Sequence, residues 1–101
     1  MKLQTFAVNK SELAEFCRNN NIRKLSVFGS ALTSYFDEES DIDLLVEFER
    51  GCKIGFFHLA ELEIKLSEMF GRKVDLRTFH ELSRYFRQNV LREARPLYAR
   101  G

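Results

Sequence analysis

Apolar residues recur along this chain at two spacings, one typical of strands and one typical of helices. The clearest strand pattern lies between Asp41 and Glu49, where every second residue is apolar and the alternate positions at both ends are acidic. Two shorter apolar stretches, Lys24 to Phe28 (KLSVF) and Lys73 to Leu76 (KVDL), predict two more strands. In the strand predicted between Asp41 and Glu49, a period of two puts the apolar residues Ile42, Leu44, Val46 and Phe48 on one face. The acidic residues on the opposite face are Asp41, Asp43, Glu47 and Glu49.

Helical spacing predicts four helices. The first begins at Asn9 or Ser11, ends near Asn19 and has Leu13, Phe16 and Cys17 on its apolar face. The others are expected over Ala31 to Phe36, Phe56 to Phe70 with Gly71 ending it, and about Glu81 to Ala94 with Pro96 closing it. We expect the adjacent aromatic residues Phe56 and Phe57 to belong to the core.

The order helix, strand, helix, strand, helix, strand, helix (αβαβαβα) is typical of an α/β fold with a small sheet covered by helices. The 101 residues contain no repeat, linker or low-complexity tract, and this length suits one domain over residues 1–101.

Composition narrows the class of protein. Two cysteines without CxxC spacing, and the lack of an apolar run of about 20 residues or of a signal-peptide pattern, predict a soluble cytoplasmic protein. The net charge is +1, but residues 1–36 carry +3, residues 37–70 carry −7 and residues 71–101 carry +5. An acidic middle between basic ends is compatible with carboxylates that hold a metal beside arginines that meet phosphate, and also with solvated helix faces.

Asp41 and Asp43 pose a question of electrostatics. Side chains at i and i+2 of a strand project to the same side, so these carboxylates lie a few ångströms apart and repel each other unless a proton or a cation lies between them. Oxygen ligands of this kind suit Mg²⁺ or Mn²⁺. The alternative is an ordinary exposed strand face, which Glu47 and Glu49 resemble.

Gly29 and Ser30 directly follow the first predicted strand. A glycine there lets backbone approach a ligand, and a serine at a helix start offers a hydroxyl and an N–H to an anion. Such a turn alone is weak evidence. Together with the acidic pair on the next strand, it predicts a phosphate site beside a metal site, as transfer from a nucleoside triphosphate requires.

These residues resemble the signature of the polymerase-β-like nucleotidyltransferases. Within that superfamily the chain resembles the minimal nucleotidyltransferases (MNT), the antitoxins of HEPN–MNT toxin–antitoxin pairs, over nearly its whole length. The matching segments are Val27 to Ser30, Ser40 to Phe48, Gly71 to Leu76, and Val90 to Ala94 continuing to Tyr98. The resemblance implies the superfamily's small mixed sheet flanked by helices.

The resemblance also implies roles for individual residues. Asp41, Asp43 and Asp75 would be the catalytic carboxylates that bind Mg²⁺, with Asp75 on the same sheet face as the first two. Gly29 and Ser30 would hold the phosphates of ATP, and Ser40 lies in the same motif. AMP would pass to a hydroxyl, that of a tyrosine, on a cognate HEPN RNase, so that this chain acts as an antitoxin in a hetero-oligomeric complex.

One departure from the family pattern keeps a second function open. Relatives carry a basic residue shortly after the Gly-Ser pair, and Ala31 to Ser34 has none. We hypothesise that Arg72, Lys73 or Arg77 supplies that charge. The alternative is an inactive nucleotidyltransferase fold that neutralises its toxin by binding alone. Direct nucleic-acid binding is not expected, because no base-reading aromatic module accompanies the arginines of the last helix.

Overall fold

The computed structural model describes residues 8–29, 40–85 and 87–100. Its helices are α1 (Lys10–Asn19), α2 (Phe56–Phe70) and α3 (Arg87–Glu93), with a 3₁₀ turn at Phe79–Glu81. Its strands are β1 (Ile22–Phe28), β2 (Ile42–Phe48), β3 (Val74–Thr78) and β4 (Arg95–Ala99). The helix predicted over Ala31 to Phe36 lies outside the described residues.

The four strands form one mixed sheet in the order β3-β2-β1-β4. β1 pairs antiparallel with both β2 and β4, whereas β2 and β3 run parallel. The parallel pair is connected through α2, as a parallel crossover requires. The α/β class and the mixed sheet expected from the sequence are confirmed.

The core lies between one face of the sheet and the helices α1 and α2. Leu13 and Cys17 of α1 and Leu62, Leu66 and Phe70 of α2 are buried there against the apolar side chains of β1, β2 and β3. Ile42, Leu44 and Val46 are among the latter, so the predicted inward face of β2 is confirmed. The opposite face therefore carries Asp43 and Asp75.

Local capping explains where α1 begins and where α2 ends. The Asn9 side chain accepts hydrogen bonds from the backbone N–H groups of Ser11 and Glu12, which identifies Asn9 as the N-cap of α1. Gly71 ends α2 in the left-handed conformation at φ 71°, as predicted.

The prediction of one helix from Glu81 to Ala94 is wrong. Glu81 closes a capping box on Thr78, and Leu82 then adopts extended backbone at ψ 143°, which ends the 3₁₀ turn. Arg87 donates through Nε to the Leu82 carbonyl at 2.8 Å, so this carbonyl is satisfied without a continuous helix. Leu82 is buried outside any α-helix, and α3 covers only seven residues.

The strand β4 was not predicted from the sequence. Pro96 was expected to close a helix, but it lies in a strand that pairs with β1. Because β4 is at the edge of the sheet, a proline without an N–H is tolerated there. The predicted element order therefore lacked its last strand.

Side chains also protect the free edge of β3. The backbone N–H of Val74 donates to Ser67 Oγ at 2.9 Å, that of Leu76 to Glu63 Oε2 at 2.7 Å, and that of Thr78 to Glu81 Oε1 at 2.9 Å. All three outward N–H groups of this edge strand thus have acceptors, which blocks pairing with another chain at this edge.

We expect Glu63→Ala to lower the free energy of unfolding by about 1–3 kcal/mol, because the Leu76 N–H loses its acceptor. Glu61→Ala, on an exposed part of the same helix, is the matched control and should change stability by less than about 0.5 kcal/mol. Urea denaturation of both variants measures this. Equal, small changes would contradict a stabilising role for the contact.

The two thiols should differ in reactivity. Burial raises the pKa of Cys17 from 9.0 to about 12, with Arg18 opposing the shift, whereas Cys52 is half-buried. Since the thiolate is the reactive form, we expect a disulfide reagent at pH 8 to label Cys52 quickly and Cys17 only on unfolding. Peptide mapping after timed labelling checks this. Equal labelling rates in the native protein would contradict it.

Within the described residues, no helix is long and apolar enough to cross a membrane.

Candidate active site

Two aspartates lie side by side on the sheet face that α1 and α2 leave uncovered. Asp43 of β2 and Asp75 of β3 are register partners in the parallel pair. Their neighbours in register, Ile42 with Val74 and Leu44 with Leu76, are buried on the opposite face. Since side chains of register partners in a sheet project to the same side, both carboxylates belong to one surface, as predicted.

Asp41 immediately precedes β2 and lies two residues before Asp43 in the sequence. Its Oδ2 lies 3.8 Å from Lys73 Nζ, and both side chains are largely exposed. Of the residues described, no three histidine, cysteine or acidic side chains are grouped closely enough to hold a metal ion. The carboxylates of Asp41 and Asp75 are instead directed toward basic partners.

Gly29, which directly follows β1, lies next to Asp43 on this surface. Phe28 is the register partner of Asp43, so the turn after β1 begins beside that aspartate. Gly29 has φ 73°, and a Cβ at this position would overlap the Asp43 carboxylate and approach its Cγ to 3.2 Å. Only glycine combines this backbone conformation with such close contact. Ser30, the other half of the predicted phosphate turn, lies outside the described residues.

The three basic residues proposed to bind the nucleotide lie around the aspartates. Arg77 donates to the Asp75 carboxylate at 3.1 Å, and Lys73 lies beside Asp41. Arg72 donates through NH1 to the Ser40 carbonyl at 3.4 Å. The structure therefore brings Arg72, Lys73 and Arg77 to the same edge as Ser40, Asp41 and Asp75.

The residues present suit a hard divalent cation in their chemistry. The predicted ligands are carboxylate oxygens. Because Gly29 has no side chain, the space beside the Asp43 carboxylate stays open, whereas a Cβ at position 29 would fill it. To hold such an ion, the carboxylates of Asp41 and Asp75 would have to release their basic partners Lys73 and Arg77.

A pocket of about 330 Å³ adjoins Asp75 at the free edge of β3. Phe56, Leu59 and Ala60 of α2 form one wall, and Asp75, Leu76 and Arg77 of β3 form another. This pocket was not expected from the sequence, because Phe56 and Phe57 were predicted to belong to the core. That assignment is wrong, since 77% of Phe56 and 82% of Phe57 is exposed. Their position at the first turn of α2, ahead of the buried Leu62, was the available signal.

A sheet that has a glycine turn after one strand and in-register aspartates on the next two has groups of the kind that phosphate transfer uses. The family comparison agrees. Residues 11–101 match the family described as "Polymerase beta, Nucleotidyltransferase", and the chain belongs to that family. It is a nucleotidyltransferase.

Individual relatives show which members of this family the chain is similar to. The chain is 36% identical over 85 residues to the protein adenylyltransferase MntA of Thermococcus cleftensis, covering 84% of this chain and 81% of that protein. A solved structure described as a minimal nucleotidyltransferase is 33% identical with a TM-score of 0.74, covering 95% of this chain and 96% of the other.

A third similarity is to a complex. The MNT antitoxin bound to the tri-AMPylated HEPN toxin of Shewanella oneidensis superimposes with a TM-score of 0.64 at 22% identity, covering 89% of this chain and 69% of the matched chain. At this identity the likeness establishes the shared fold. Together these findings confirm the resemblance to minimal nucleotidyltransferases that the sequence motifs indicated.

Proposed function

We propose that this chain transfers AMP from ATP to a tyrosine hydroxyl of a cognate HEPN toxin and thereby acts as its antitoxin. The observation that carries the proposal is the in-register pair Asp43 and Asp75, with Gly29 in contact distance of Asp43. The adenylyltransferase name of the Thermococcus relative and the AMPylated toxin in the Shewanella complex support the choice of reaction and partner.

In this proposal Asp41, Asp43 and Asp75 hold Mg²⁺, for which Mn²⁺ is a chemical substitute. When bound, the ion neutralises phosphate charge and polarises the α-phosphate. Gly29, Ser30 and Ser40 hold the phosphates through backbone and hydroxyl groups. Arg72, Lys73 and Arg77 provide the positive charge that the segment after Ser30 lacks, and the closeness of Lys73 to Asp41 and of Arg77 to Asp75 supports this assignment.

The reaction is an in-line displacement at the α-phosphorus. The acceptor oxygen forms a bond to that phosphorus, the bond to the bridging oxygen breaks, and pyrophosphate leaves with the electron pair. The Asp75 carboxylate is placed to take the proton of the acceptor hydroxyl, because Asp75 is on the edge strand β3, where an incoming group can reach it. Positioning and charge neutralisation supply the rate enhancement.

The test is the intact mass of the HEPN protein encoded beside this chain, after incubation with this protein, ATP and Mg²⁺. We expect increments of the mass of AMP and loss of RNase activity, with tandem mass spectrometry assigning the modified residue as tyrosine. The double variant Asp41→Asn, Asp43→Asn is the control and should add no mass. A toxin silenced equally by both proteins without any added mass would contradict AMP transfer and support neutralisation by binding alone.

A further inference from the structure

We infer that the pocket between α2 and the free edge of β3 receives the aromatic acceptor side chain, and that Phe56 is a specificity-determining residue. This inference rests on the proposed AMP transfer and extends it to the acceptor. It assigns a role to a pocket that lies beside the catalytic carboxylates without containing the phosphate turn.

The order of residues across the sheet fixes which side of the site the acceptor uses. Gly29 follows β1, Asp43 is on β2 and Asp75 is on β3, with the pocket beyond Asp75. Adjacent strands are about 4.8 Å apart, so Gly29 and Asp75 are separated by roughly 10 Å. If pyrophosphate leaves toward Gly29, an in-line attack on a phosphorus near Asp43 comes from the Asp75 side. The pocket opens on that side.

The charged side chains that line the pocket have other roles. Glu63 and Glu81 accept from the backbone of β3, whereas Lys73 and Arg77, beside Asp41 and Asp75, are the residues proposed above to meet the nucleotide's phosphates. The wall left to contact an incoming group is therefore that of Phe56, Leu59 and Ala60, which is apolar.

Ring exposure favours an aromatic acceptor, and the size of the pocket admits one. A volume of about 330 Å³ is within the range of ligand pockets (roughly 300–1,000 Å³) and is large enough for an aromatic side chain. The Phe56 side chain is 77% exposed, and its ring makes an edge-to-face contact with Phe57, with centroids 5.9 Å apart. A second ring stacking on Phe56 would bury its apolar surface and direct a phenolic hydroxyl past Leu76 toward Asp75.

Phe57 provides a matched control. It is equally exposed and adjacent on the same helical turn, but it does not line the pocket. Since both side chains are mainly in solvent, alanine at either position should leave the fold intact, which circular dichroism and thermal melting check.

The first arm of the test measures AMP transfer to the HEPN protein. We expect Phe56→Ala to raise the KM for that protein roughly tenfold, with the KM for ATP unchanged, because a stacking contact made only by the acceptor is lost. Phe57→Ala should change neither constant by more than about twofold. Equal effects of the two variants, or a change in the KM for ATP alone, would overturn the inference while AMP transfer itself stands.

The second arm does not depend on transfer. Titration of the ¹⁵N-labelled protein with N-acetyl-tyrosinamide should shift the amide signals of Ala60 and Leu76, and Phe56→Ala should abolish these shifts. N-acetyl-serinamide should shift neither signal. If the wild type transfers no AMP, the proposed function fails, and this titration still decides whether the pocket takes a phenol. Shifts confined to other residues would refute that use of the pocket.

Discussion

Asp43→Asn should lower the rate of AMP transfer by about 100- to 1,000-fold while the protein remains folded. Asp43 is the central acid of the site, because it is the register partner of Asp75 on one side and adjoins Gly29 on the other. Asparagine keeps the shape of the side chain and removes its charge, so binding of the cation and alignment of the phosphates should suffer most. Initial rates from intact-mass time courses measure the loss.

Glu47→Gln is the matched control for Asp43→Asn. Glu47 is on the same strand and the same face, and its carboxylate pairs with Arg23 at 2.6 Å, away from the aspartates. We expect transfer by this variant to stay within about twofold of the wild type. If Glu47→Gln were as slow as Asp43→Asn, general surface charge would explain the effect better than a site at Asp43.

Gly29→Ala should have the second large effect. The left-handed backbone at φ 73° costs a non-glycine residue about 1–2 kcal/mol, and the added methyl group would also displace the Asp43 carboxylate. We expect a loss of stability of that size and a fall in AMP transfer of about 100-fold. Urea denaturation and initial rates report the two effects separately.

Gly51→Ala separates backbone strain from the contact with Asp43. Gly51 has φ 82°, and a Cβ there would meet nothing within 4 Å. This variant should lose similar stability through its backbone and keep its transfer rate. A Gly29→Ala protein as active as Gly51→Ala would show that the close approach of Gly29 to Asp43 has no part in catalysis.

The site face could be predicted because local periodicity determines it. Because Ile42, Leu44 and Val46 face the core, a period of two places Asp43 on the other face whatever the strand's neighbours are. The same reasoning at Val74 and Leu76 places Asp75 outward. That these two strands are parallel and in register is a property of the tertiary fold. The sequence pattern therefore indicated only which way each aspartate faces, and the family resemblance supplied both the role of Asp75 and its association with Asp43.

The errors have physical causes as well. β4 was missed because Pro96 is a poor strand residue except at an edge, and the sequence does not show which strands are edges. The last helix was predicted to begin too early because helical apolar spacing starts at Leu82, although the extended backbone of Leu82 ends the 3₁₀ turn there. Phe56 and Phe57 were assigned to the core on residue type, whereas the apolar face of α2 begins at Leu59 and Leu62. Because Phe56 is outside the core, its ring is available to line the pocket beside Asp75.

The most direct test of the account is the location of a bound divalent ion. We would add Mn²⁺ and a non-hydrolysable ATP analogue to the ¹⁵N-labelled protein and measure the paramagnetic broadening of each amide signal. The account predicts strong broadening at Gly29, Asp43 and Asp75 and little at Leu13 of α1, with the pattern lost in the Asp41→Asn, Asp43→Asn variant. Broadening that is uniform, or that persists in this variant, would contradict a metal–nucleotide site on this face of the sheet.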